Sequence, residues 1–99
     1  MRPIFALLIA LACATPASAA GFDSKAAGEC MVYALKTNRM DVAKAARRLT
    51  LLVGRKREAL AYGQMFIARI NRAAARDAGA ASYQFVHDGR AGCAAIGAM

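Results

Sequence analysis

Two cysteines, Cys30 and Cys93, lie near opposite ends of residues 20–99, and no other feature of the sequence constrains the fold as much. A bond between them would close most of that stretch into a single loop. In the chain-entropy treatment such a loop is worth about 4 kcal/mol, a large fraction of the stability of a small domain. An intramolecular disulfide is expected if the chain reaches an oxidising compartment, and the N-terminus carries the features of an export signal.

Met1-Arg2-Pro3 supplies a short basic start, Ile4 to Ala14 an apolar stretch, and Ala17-Ser18-Ala19 an A-x-A cleavage site. The apolar stretch falls short of the roughly 20 residues that a membrane-spanning helix needs. A cleaved signal over residues 1–19 is therefore expected rather than an anchor. Pro16 would end the apolar helix just before the cleavage site. Cleavage after Ala19 removes the third cysteine, Cys13, and leaves one pair. Lipid attachment at Cys13 is the rival reading. Ala10-Leu11-Ala12-Cys13 has a small residue before the cysteine but lacks the usual branched residue three positions upstream. The 26 alanines, and 10 arginines against 4 lysines, point to a GC-rich coding bias, so a periplasmic or secreted bacterial protein is expected rather than one on a eukaryotic secretory route.

Residues 20–99 can support one domain with one thin core. Helical periodicity recurs along them, which predicts an all-α fold: a small bundle of three to four helices with the first and last segments joined by the disulfide. Asp23 or Ser24 can cap a first helix running to about Asn38, with Ala27, Met31 and Leu35 in one row. Asp41 is a candidate cap for a second helix, whose apolar stripe is Val42, Ala46, Leu49 and Val53. Gly54 falls where a helix favours a left-handed terminal residue. A third helix is expected from Arg55 to about Ala78. Its buried stripe would be Tyr62, Phe66, Ile70 and Ala73, widened by Met65 and Ile67, with Arg69, Arg72 and Arg76 on an exposed face. Ala78-Gly79-Ala80 would close it, and Ala81 to Val86 is expected as a short fourth helix rather than an extended piece, since no partner strand is visible elsewhere. His87-Asp88-Gly89-Arg90 has turn chemistry, with a last helical turn or two carrying Cys93.

The formal net charge is +8, and loss of Arg2 with the signal would lower it by one. Basic residues are dense from Lys36 to Arg57, where only Asp41 and Glu58 oppose them. This balance favours anionic partners, against the plainer reading of a solvated surface that keeps a small protein soluble. The expected contact residues are Lys44, Arg47 and Arg48 on the second helix and Arg55, Lys56 and Arg57 at its junction with the third. Aromatic interleaving of the kind that single-stranded nucleic-acid binding uses is missing from this stretch, so nucleic acid is disfavoured as a partner. A protein, an anionic envelope component or a membrane surface fits better.

Signals for chemistry are weak. His87 beside Asp88 has the format of a base oriented by a carboxylate, but the only nucleophile candidates nearby are Ser82 and Tyr83. One histidine and two oxidised cysteines cannot supply the ligands that zinc requires, and no CxxC, haem-attachment or phosphate-loop motif is present. Tyr33, Tyr62 and Tyr83 fit either a ligand groove or core positions with a wet hydroxyl, and Met31, Met40 and Met65 are expected as core filler. The expectation is a non-enzymatic exported protein, without cofactor or metal, that binds a protein or envelope partner through its basic surface. The alternative is a cationic membrane-associated or stress-protective protein. In outline (exported, helical, one disulfide, similar size) the chain resembles the small acid-stress periplasmic chaperones, although no motif of theirs maps to particular positions. The resemblance implies surface apolar groups released at low pH, for which six acidic residues give little leverage.

Overall fold

The computed structural model describes residues 22–99, and the signal segment and Cys13 lie outside the described residues. Four helices follow one another: α1 (Ser24–Lys36), α2 (Met40–Leu52), α3 (Lys56–Arg76) and α4 (Ala78–Ala95). No strand occurs among the described residues. The all-α expectation is met, and the disulfide is formed between Cys30 on α1 and Cys93 on α4, with Cα atoms 4.6 Å apart.

The helix ends explain why the chain breaks where it does. The Asp23 carboxylate accepts the Ala26 N–H at 3.0 Å and starts α1. α1 ends with Asn38 in the left-handed region (φ 64°), where the Arg39 N–H donates to the Ala34 carbonyl and the Asn38 N–H to that of Leu35. Gly54 (φ 69°) closes α2 with the same bond pair, Arg55 to Thr50 and Gly54 to Leu51. The expected cap at Asp41 is not used. Arg39 occupies the N-cap of α2 without a side-chain bond, and Asp41 sits inside the first turn, where its charge still complements the helix dipole.

Two expectations about the C-terminal third are corrected. Asp77, not Ala78-Gly79-Ala80, separates α3 from α4: it is extended (φ −157°, ψ 100°), and its carboxylate accepts the Ala80 N–H at 3.1 Å. Residues 78–80 therefore form the first turn of α4. The turn expected at His87-Asp88-Gly89-Arg90 does not occur, because α4 runs unbroken through it. Gly89 serves packing instead. A Cβ placed there would lie 2.3 Å from Tyr33 Cβ and 2.4 Å from its Cγ, so the absent side chain lets Tyr33 of α1 lie directly on α4.

α1 is the central helix, and its composition is the reason. Ala26, Ala27, Gly28, Cys30 and Ala34 are buried, so small residues make much of its contact with the neighbouring helices. α4 approaches one side, where Gly92 faces the backbone of Ala26 and Cys30. α3 approaches another, where Gly28 faces the Ala59 carbonyl and the Gly63 nitrogen. α2 packs Val42, Ala43 and Ala46 against the cluster of Cys30, Tyr33, Ala34 and Cys93. Phe66 is fully buried and stacks on Phe85 at 5.6 Å, while Tyr33 meets Phe85 at 5.7 Å. These rings and the disulfide form the covalent and aromatic centre of the bundle.

Candidate functional site

α2 packs mainly on α1 and makes few contacts with α3, although the two are joined by a short connection. The two helices diverge from the Gly54 corner and leave a cleft of about 310 Å³ between them and α1. Met31, Val32 and Leu35 of α1, Leu51 of α2, and Leu60 and Ile67 of α3 line it. Thr50 and Gln64 also border it; the buried Thr50 hydroxyl donates to the Ala46 carbonyl at 2.7 Å and so has no proton left for a ligand. Cations bring most of the polarity: Arg47 from α2 and Lys56 from the start of α3 stand at its edge. A smaller apolar hollow of about 230 Å³ shares Met31, Leu35 and Arg47 with the cleft and adds Met40 and Lys44.

The six expected contact residues separate into groups. Lys44, Arg47 and Arg48 are exposed together on α2 and, with Leu51 and Leu52, frame an open depression. Arg55 is engaged locally, its guanidinium donating to Glu58 at 2.7 Å. Lys56 and Arg57 are exposed beside it around the corner. Lys44, Arg47, Arg48, Lys56 and Arg57 form no ion pair among the described residues. Arg47 and Lys56 are the members that the fold brings together at the apolar cleft.

The apolar side of this site was not anticipated. Leu35 is 58% exposed, Leu51 49% and Leu60 50%. Met65 and Ile67, expected to widen the buried stripe of α3, are exposed instead, because Gly63 and Ala59 rather than larger residues make the contact with α1. Met40 is also exposed and Met31 lines the clefts, so the methionines are not simply core filler. The sequence held one sign of this: Leu51 and Leu60 fall off the regular stripes of their helices. Among the tyrosines, Tyr33 is core, whereas Tyr62 and Tyr83 are exposed.

A second cluster lies between α1, α3 and α4. Glu29 is buried, accepts Lys25 Nζ at 2.8 Å and Arg69 at 3.3 Å, and Arg69 also reaches Asp88 at 3.4 Å. Arg69 further lies over the Phe66 ring, 5.2 Å from its centroid. Arg69 thus leaves the exposed face assigned to it with Arg72 and Arg76 and ties three helices together. His87 bonds Asp88 at 3.2 Å and stacks on Tyr83. Asp88 is shared with Arg69, so one carboxylate faces both side chains. Among the described residues no three His, Cys, Asp or Glu side chains are grouped as metal ligands, and no helix is long and apolar enough to cross a membrane.

Comparison with protein-family models, with curated proteins and with solved structures finds no match to this chain.

Proposed function

We propose that this chain is a small exported, non-enzymatic helical protein that binds a protein or an anionic component of the cell envelope through the basic surface of α2 and the α2–α3 corner. One observation carries the reading. Among the described residues Lys44, Arg47, Arg48, Lys56 and Arg57 form no ion pair, and Leu51, Leu52 and Leu60 stand exposed beside them. A surface kept only for solubility has no need of large apolar side chains among its charges. Together the two supply what an anionic, partly apolar partner requires: long-range attraction from the cations and desolvation energy from the leucines.

A periplasmic address accords with the signal-like N-terminus, and the disulfide adds weak support. A second reading, contact with an anionic membrane surface, draws on Leu51 and Leu52 standing beside Lys44 and Arg48. Co-sedimentation with anionic vesicles at low and high salt separates the two, since the membrane reading requires salt-sensitive sedimentation. For the main reading, crosslinking from Arg48 in an envelope fraction should capture a discrete partner. Charge reversal at Arg47 and Arg48 should abolish that capture. Undiminished capture by the reversed variant overturns the basic-surface reading.

A further inference from the structure

We infer that the cleft between α1, α2 and α3 is a binding site for a single-chain anionic amphiphile, with the acyl chain among the leucines and the head group at Arg47 and Lys56. The inference deepens the proposed function, resting on it for the supply of such molecules, which a cell envelope provides as fatty acids and lysophospholipids.

Size admits a small occupant. The cleft holds about 310 Å³, at the small end of small-molecule sites, and an alkyl chain can lie along it between the three helices. The smaller hollow that shares Met31 and Leu35 gives a longer chain somewhere to continue, toward Met40.

Chemistry points the same way. Gly28, Val32, Ala59 and Gly63 offer no polar side chain, the buried Thr50 hydroxyl gives its proton to Ala46, and Gln64 is the one neutral polar side chain that is exposed along the lining. A sugar, nucleotide or peptide backbone would lose more hydrogen bonds to water there than one carboxamide can replace. An alkyl chain has none to lose. Arg47 and Lys56 reach the cleft edge from two different helices, and neither is committed to a carboxylate among the described residues. One anionic head can meet both, which a neutral or cationic head cannot.

The test is calorimetric titration of the delipidated, disulfide-bonded protein with octanoate, decanoate, laurate and myristate below their critical micelle concentrations. Saturable one-to-one binding is expected, tightening about fourfold per added methylene until the chain outgrows the cleft. Dodecyltrimethylammonium should bind far more weakly than laurate, and R47E/K56E should weaken laurate about tenfold. Leu51→Glu, at an exposed position, places a carboxylate in the apolar cleft and should abolish binding with the far-UV spectrum and melting curve retained. Lauroyl lysophosphatidylglycerol titrated beside laurate distinguishes a phospholipid source from a free fatty acid by which binds tighter. Absence of saturable laurate binding, affinity independent of chain length, or undiminished binding by folded L51E each overturns the site. An acidic amphipathic peptide that binds where laurate does not also overturns it. The basic-surface reading fails separately: Arg48 borders the outer depression and not the cleft, so undiminished partner capture by R48E overturns that reading alone, while laurate affinity is expected to be unchanged in this variant.

Discussion

Replacing Gly28 by alanine tests whether α1 and α3 cross as closely as the structure places them. In an isolated helix the change is favourable by about 1 kcal/mol, because glycine is the poorer helix former. Here the added Cβ would lie 2.3 Å from the Ala59 carbonyl oxygen, 2.7 Å from the Gly63 nitrogen and 3.1 Å from Tyr62 Cβ. The two nearest atoms are backbone, so no side chain can rotate away, and α3 must retreat from α1 by about 1 Å to restore contact distances. That retreat loosens the packing of Ala59 and Phe66, both fully buried. Overpacking of this kind costs about 1–3 kcal/mol, at the upper end where only backbone can yield. After the propensity gain is subtracted, a net loss of about 2 kcal/mol remains. In urea, at a slope of about 1 kcal/mol per molar for a chain this small, the midpoint should fall by about 2 M. Gly79→Ala is the internal control. Gly79 is also helical, but its Cβ would meet only the Asp77 carboxylate at an ordinary 3.5 Å, so that variant should gain up to about 1 kcal/mol. Opposite shifts of the two midpoints are expected. A G28A protein as stable as G79A would refute the close crossing.

Other consequences are open to direct measurement. Removing the disulfide with C30A/C93A, which spans a sequence separation of 63, should cost about 4 kcal/mol by loss of the loop constraint, read from urea unfolding; a change below about 1 kcal/mol would mean that the aromatic core alone holds α1 to α4. A double-mutant cycle between Glu29→Gln and Arg69→Met should show a coupling of about 1–2 kcal/mol, because Glu29 is buried while Arg69 remains partly exposed; strict additivity would remove the ion pair from the account. Gly89→Ala should destabilise by about 1–2 kcal/mol through collision with Tyr33, with helical circular dichroism retained, whereas a gain in stability would argue against the packing at this position. Intact-mass measurement of protein recovered from the envelope should give a chain beginning at Ala20, and a retained N-terminal segment would refute signal cleavage.

Much of the architecture was legible in local chemistry. Asp23 as a cap, Gly54 as a left-handed terminator and the Val42–Ala46 stripe depend on residues within a turn of one another, and such signals survive folding unchanged. The region around Gly89 misled for a physical reason. Asp-Gly has the same local preference for a turn whether or not another helix is present, and only Tyr33, distant in sequence, makes the missing side chain an asset within a helix. Arg69 is comparable: its spacing with Arg72 and Arg76 places all three on one face, but Glu29 and Asp88 on other helices draw it into the interface.

The helical class and the density of positive charge between Lys36 and Arg57 follow from residue type and short-range spacing, and the pairing of Cys30 with Cys93, 63 residues apart, from their being the two cysteines outside the signal-like segment. Tertiary structure alone decided which of those charges meet an apolar surface. Close approach at Gly28 and Gly63 draws α3 against α1, while the Gly54 corner leaves α2 diverging from it, and the opening so created exposes Leu35, Leu51 and Leu60 beside Arg47 and Lys56. No periodicity in one helix encodes the gap between two others, because that gap depends on how closely each packs against a third.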